Sequence, residues 1–304
     1  MSQKIGQTDI NASKIALGCM RMASLEAKNV DDVITRCLDL GIDFFDHADI
    51  YGKGQSEQVF GDSVKRLGIK REDMVIQSKC GIREGYFDFS KKHILASVEG
   101  ILKRLGTDNL DILALHRPDA LMDVEEVADA FYELRKSGKV RYFGVSNQNR
   151  YQMELLEAYL EQPLAVNQVQ FSPAHTPMID AGLNVNMVDR PAYDRDNGIL
   201  DYCQLKKITP QAWSPFQIDL GRGIFMGHPD YQDLTRTIEE LAGQYGVSHE
   251  AIIIAWILRH PAKIQAIVGS MNPVRLEKIV AAKQIELSRE DWYRIYRSAG
   301  NRLP

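Results

Sequence analysis

Cysteine is scarce in this chain of 304 residues: there are four, Cys19, Cys37, Cys80 and Cys203. None of them makes a C-x-x-C pair, so neither a thiolate metal site nor a disulfide framework is expected, and a reducing cytoplasm fits. An excess of positive charge is also lacking. With 37 Lys and Arg against 41 Asp and Glu, the formal net charge is -4, which argues against a general nucleic-acid binder. Long hydrophobic runs are absent. The longest, "AIIIAWIL" at 251–258, is far too short to span a bilayer. The first ten residues, "MSQKIGQTDI", are polar and have no signal-peptide core. The histidines His47, His93, His175, His228 and His260 form no metal set, and "HEAII" from His249 lacks the second His of a zinc helix. No Gly-rich dinucleotide turn follows the first strand-like run, "IALGCMRM". "GRGIFMG" at 221–227 has the wrong spacing and reads as a flexible loop.

What remains is ample apolar material, 44% of the residues, distributed in a regular alternation. Short β-rich runs fall at 15–17, 44–46, 75–78, 112–115, 142–145, 165–169, 209–212 and 266–268. Several are almost continuously apolar, as strands covered on both faces are. Amphipathic segments at 30–40, 57–67, 91–105, 124–137, 150–160 and 199–206 separate them. A helical pair, 231–245 and 248–259, precedes the last strand, and 273–282 and 288–299 follow it. Gly41, Gly68, Gly106 and Gly138 stand where helices stop. Eight strands, each followed by a helix, predict an α/β chain folded as one (β/α)8 TIM barrel over 1–304, with extended βα loops. A doubly wound sheet is the rival, and the missing glycine turn counts against it. The stretch 172–198, rich in Pro, Asn and Asp, has no clear period and reads as a long loop.

Barrels of this kind gather their chemistry at the C-terminal ends of the strands. The strand ends here present Asp46 with Tyr51 in the loop behind it, Lys79, His116, Ser146 and Asn147, Gln168, Trp213 with Ser214, and Ser270. Taken singly, each has an ordinary structural reading: a capping Asp, a solvated Lys, a packed Tyr, a hydrogen-bonded His. Together they are more. An ammonium beside a phenol favours phenolate and pulls its pKa below the usual range, a carboxylate holds the ammonium in place, and an imidazole can orient a carbonyl oxygen. Asp46, Tyr51, Lys79 and His116 therefore read as a proton-donating site aimed at a carbonyl.

The motifs carrying these groups run the length of the chain: "GIDFFDHADIYGKGQSE" (41–57), "LKRLGTDNLDILALH" (102–116), "GKVRYFGVSN" (138–147), "AVNQVQFSP" (165–173), "QAWSPF" (211–216) and "IVGSMNPVRLEKI" (267–279). In order and spacing they resemble the aldo-keto reductase superfamily, and the "LHRPD" stretch looks like its bacterial oxidoreductases. The resemblance implies an NADPH-dependent carbonyl reductase, cytoplasmic and monomeric, acting on a small-molecule aldehyde or ketone. Tyr51 would be the general acid, Lys79 would depress its pKa, Asp46 would pair with Lys79, and His116 would position the carbonyl. Ser146, Asn147 and Gln168 would hold the nicotinamide carboxamide, and Trp213 would stack on the ring where many relatives have Tyr. Ser214 and Phe216 would line the pyrophosphate path. Ser270 and Arg275 would bind the 2′-phosphate, with Lys278 near the same helix N-terminus. Gly269 stands where many relatives have Lys, Lys278 and Ile279 where many have Glu-Asn, and Gln148 where Phe is common.

Two other readings belong to different classes. A non-catalytic NADPH-binding regulatory subunit would share the fold without turnover, and a Schiff-base lyase using Lys79 would need no nicotinamide. "YCQLK" (202–206) has the Y-x-x-x-K spacing of short-chain dehydrogenases, but it reads as part of an amphipathic helix. The substrate is expected to be set by loops 19–29, 82–90, 172–198 and 217–230. Met20, Met22 and Met226 are candidates for a pocket wall, with ordinary packing as the plainer reading.

Overall fold

The computed structural model describes residues 2–304. Eight parallel strands close into a barrel: β1 (Ile15–Gly18), β2 (Phe44–Asp46), β3 (Val75–Cys80), β4 (Leu110–Leu115), β5 (Val140–Ser146), β6 (Val166–Gln170), β7 (Thr209–Trp213) and β8 (Gln265–Val268). Each strand pairs with the next in sequence, and β8 closes the ring on β1. The (β/α)8 barrel expected from the alternation of elements is thus the fold.

The helices in the first half are α1 (Ala27–Asp39), α2 (Gln55–Leu67), α3 (Lys91–Leu105), α4 (Val124–Lys136) and α5 (Arg150–Glu157). After them come α6 (Pro177–Leu183), α7 (Ile199–Lys206), the pair α8 (Gln232–Tyr245) and α9 (His249–Leu258), then α10 (Pro273–Val280) and α11 (Arg289–Ser298). Their starts are written locally. Ser90, Asp123, Ser248 and Ser288 each accept a backbone N–H of the first turn, and Asn149 with Gln152 forms a reciprocal capping box. Gly68 and Gly106 end α2 and α3 at φ 65°, a left-handed position that glycine adopts without strain. None of the described helices is long and apolar enough to cross a membrane.

Three features were not anticipated. The strands Ser2–Lys4 and Asn11–Ser13 form an antiparallel hairpin ahead of the barrel. The stretch 172–198 contains α6. The loop expected to be flexible at 221–227 supplies Gly223–Ile224, which pairs with Gln217–Asp219 as a second small hairpin.

Alternation along the strands separates two cores. Side chains of a strand point to opposite faces in turn. Phe44 therefore packs with Ala16, Ile112, Val166 and Ile267 inside the barrel, where Ile5, Ile10 and Ala12 of the hairpin join them. Phe45 faces the helices, meeting Phe60 of α2 with ring centroids 5.1 Å apart. The same phase carries Gln77 and Lys79 inward on β3, Gln211 on β7 and Gln265 on β8. Above the apolar plug these amides form a ladder. Gln77 and Gln211 are bonded in both directions, at 2.8 and 3.2 Å, and Gln211 donates to Gln265 at 2.8 Å. Gln265 then donates to the Ser13 carbonyl of the hairpin, also at 2.8 Å.

Candidate active site

Asp46 is the next inward position after Phe44, and it stands on top of the amide ladder. Gln77 Nε2 and Gln168 Nε2 donate to its Oδ1 at 2.7 and 3.0 Å. Lys79, two residues along from Gln77, donates to Asp46 Oδ2 at 2.8 Å, to the His47 carbonyl at 2.7 Å and to the Tyr51 hydroxyl at 3.3 Å. The Lys79 side chain has no solvent exposure and that of Asp46 has 2%. A charge so deep is tolerable only when paired and fully hydrogen-bonded, and all three ammonium protons are used. Burial alone would pull the Lys79 pKa down, but Asp46 first and Tyr51 next hold it above the usual lysine value.

Tyr51 reaches this cation because the chain turns sharply behind β2. The backbone of Asp49 still bonds to the Lys79 carbonyl at 3.0 Å. A short turn, Tyr51–Gly54, follows, in which Gly52, Lys53 and Gly54 are all left-handed. Gly52 is required there twice over: its φ is 58°, and an added Cβ would lie 2.6 Å from the Ala23 Cβ. The Tyr51 oxygen accepts from Lys79, so its own proton is free to point elsewhere. The sequence predicted a depressed phenol pKa, but the net direction is upward. Burial raises it, and the opposing pull of Lys79 does not overcome that.

His116 is the next inward position on β4 after Ile112 and Ala114, and its ring meets Tyr51 edge-on, with centroids 5.9 Å apart. Burial, then Lys79 and Arg117, push its pKa well below the usual histidine value. The imidazole is neutral and carries one N–H. Nδ1 is buried without a partner.

A cleft of about 290 Å³ opens over these groups. Asp46, Tyr51, His116, Ser146, Asn147 and Gln168 line it, as do Trp213, Ser214, Phe216, Ser270 and Arg275. Of the twelve residues expected to act in catalysis or to contact the cofactor, only Lys79 is absent from the wall, because it lies beneath it. Ser146 Oγ donates to the Gln168 carbonyl at 2.9 Å, and Asn147, at φ 57°, is held by its own bond to Ser146 Oγ and by the Trp213 indole N–H at 3.2 Å. Ser214 donates to Gln217 at 2.6 Å. Arg275 lies over the Phe216 ring at 5.0 Å, with Nε 3.4 Å from the buried Glu250 carboxylate.

Several expectations are revised. Asn272 caps α10 by accepting from Val274 and Arg275, so that helix N-terminus is already partly satisfied. Lys278 is exposed in the last turn of α10 and does not line the cleft. The stretch 172–198 contributes no wall residue; Asp180 on α6 instead accepts from Tyr296 at 2.8 Å. Met20 lines the cleft, whereas Met22 is buried in the outer core and Met226 packs against it. His47 and Asp49, left without a role by the sequence, serve Lys79 through their backbones. The His47 ring is buried edge-on against Phe60, and burial holds its pKa down at about 3. The sequence reading also missed Arg21, which donates to the Gly269 carbonyl at 3.3 Å, and Arg117, directly after His116. Gly269 and the "LHRPD" motif were the available signals, but which cations reach the cleft depends on loops folding across it.

A parallel barrel with its titratable groups gathered at the C-terminal mouth has the layout of a barrel enzyme. The chain belongs to the aldo/keto reductase family, whose model matches residues 14–299. It is 38% identical to the oxidoreductase YcsN of Bacillus subtilis, over 95% of this chain and 94% of that one. It is equally identical, 38%, to the oxidoreductase YdhF of Escherichia coli, over 94% of this chain and 93% of the relative. A 6-dehydroglucose reductase of Agrobacterium fabrum is 33% identical over 97% of both chains. Among solved structures, a thermostable aldo-keto reductase crystallised with the inhibitor epalrestat superposes with a TM-score of 0.78 at 26% identity, covering 98% of this chain and 99% of that one. An aldo-keto reductase of Klebsiella pneumoniae in complex with NADPH gives 0.76 at 24% identity, covering 98% of this chain and 95% of that one, and shares the fold.

Proposed function

We propose that this oxidoreductase reduces an aldehyde or ketone with NADPH and that Tyr51 is the proton donor. The observation that carries this reading is the Tyr51 hydroxyl held at 3.3 Å by the buried Lys79 ammonium, itself fixed by Asp46. With its lone pair taken by Lys79, the phenol is left as a donor toward the cleft. Burial keeps it protonated until a carbonyl oxygen gains charge. As that charge develops, the adjacent Lys79 favours the phenolate that forms. His116, neutral, offers an N–H to the same oxygen and fixes its direction. The relatives named as reductases of an oxidised glucose support carbonyl reduction.

The residues present fit the cofactor. Ser146, Asn147 and Gln168 form an amide-and-hydroxyl rim suited to a carboxamide. Gln168 Nε2 is committed to Asp46 and Gln211, which leaves its Oε1 as an acceptor. The Trp213 indole suits a planar ring. Ser214 and Phe216 lead toward Ser270, Arg275 and Arg21, whose two guanidinium groups suit phosphates. NADPH, when bound, supplies the hydride.

Tyr51→Phe keeps the ring and removes the proton. Aldehyde turnover is expected to fall by roughly 10²–10⁴-fold, while NADPH affinity, read by fluorescence titration, stays near that of the wild type. A variant that retains most of its rate removes Tyr51 from the mechanism. Tight NADPH binding by a wild-type protein that turns over no aldehyde or ketone would favour the regulatory-subunit reading instead.

A further inference from the structure

The cleft contains one cation with nothing to do. Arg117 is half-buried, lines the wall beside His116, and makes no ion pair and no hydrogen bond among the described residues. Its guanidinium stands over the Trp213 indole, 5.8 Å from the ring centroid, and is close enough to help depress the His116 pKa. Among the described residues, the only acid lining the cleft is Asp46, which is bound to Lys79. The other two cations of the wall are engaged elsewhere. Arg21 holds the Gly269 carbonyl behind β8, and Arg275 faces Glu250 and Phe216. In the closed ring β4 lies opposite β8, and the Arg117 side chain reaches from the end of β4 to the Trp213 ring at the end of β7. It is at the end where His116 and Tyr51 would receive the carbonyl.

We propose that Arg117 is the specificity-determining residue of this cleft and that the substrate is a carbonyl compound bearing a carboxylate. This rests on the carbonyl-reductase reading above. A planar guanidinium matches a carboxylate with two parallel hydrogen bonds, which a lysine does not reproduce. The carboxylate is a spectator. Hydride still adds to the carbonyl carbon and the Tyr51 proton to its oxygen.

The test compares 4-carboxybenzaldehyde with its methyl ester, methyl 4-formylbenzoate, which share the ring; the ester carries the more electrophilic aldehyde, so a preference for the acid does not come from intrinsic reactivity. The wild type is expected to favour the acid in kcat/KM by tenfold or more, with the advantage shrinking as salt is added. Arg117→Met should lower the acid-to-ester ratio by about 10- to 150-fold, the factor for losing a charge-assisted hydrogen bond, mainly through the KM of the acid. Arg117→Lys should keep part of the ratio. A wild-type ratio near or below one overturns the proposal, as does a Met variant that keeps the wild-type ratio. If neither aldehyde is reduced although NADPH binds, the carbonyl-reductase reading fails and takes this one with it. Reduction of the ester without preference for the acid overturns only the role of Arg117.

Discussion

The two ends of the barrel are built from the same strands and do opposite things. At the N-terminal end, Phe44, Ile112 and Val166 close against Ile5 and Ile10 of the hairpin in one apolar cluster. Two residues further along the same inward phase, the side chains are Asp46 on β2 and, after Ala114, His116 on β4, with Lys79 on β3 between them. One end spends its inward positions on burial. The other spends them on a buried ion pair and a phenol, which by themselves cost desolvation. The glutamine ladder is the boundary. It gives Asp46 two amide donors from below, so the carboxylate is satisfied before any ligand arrives. The lesson is that the mouth is held in shape by polar satisfaction, whereas the base is held by packing.

That contrast can be broken most strongly at Lys79. Lys79→Met leaves Asp46 buried without its cation and should cost about 3–5 kcal/mol, together with most of the catalytic rate. Adding Asp46→Asn to that variant should restore part of the stability and none of the rate. Urea midpoints for the four members of the cycle decide it: simple additivity would mean that the pair contributes no coupling.

At the base, Phe44→Ala should cost about 3–5 kcal/mol through lost burial and a cavity. The molecules that remain folded should turn over substrate far more normally than Lys79→Met does. A comparable loss of kcat/KM per folded molecule in both variants would show that base and mouth are not separable. Thermal melts alongside turnover on the same preparations make that comparison.

The smallest expected effect sharpens the picture just behind the mouth. Burial first, and Glu57 next, raise the Asp49 carboxyl from 3.8 to about 7, and its Oδ1 has no partner. The folded state thus keeps a proton that the unfolded chain has already released between those two values, so this group lowers stability as pH rises through that window. Asp49→Asn removes the titration. Its stability relative to wild type should grow from about pH 5 to about pH 8 and level off above the folded pKa. A difference that is flat across that range would show that Asp49 stays ionised throughout.

The sequence by itself determined the barrel and most of the cleft wall, because both follow from short-range patterns. Period-two alternation places 44 and 46, 77 and 79, and 112, 114 and 116 on inward faces once the strands are recognised, and side-chain caps mark many helix starts. What it did not determine depends on distance through space. That burial would outweigh Lys79 and raise the Tyr51 pKa is a matter of how much of the fold surrounds the phenol, which no local motif encodes. That Asn272 would occupy the N-terminus of α10, that Lys278 would face solvent, and that Asp180 in 172–198 would accept from Tyr296 of α11 while the stretch lines none of the cleft depended on how the loops settled. The clearest case is Arg117. Its neighbour His116 is adjacent in sequence, but its standing over Trp213 exists only because eight strands close into a ring that brings the ends of β4 and β7 to one mouth.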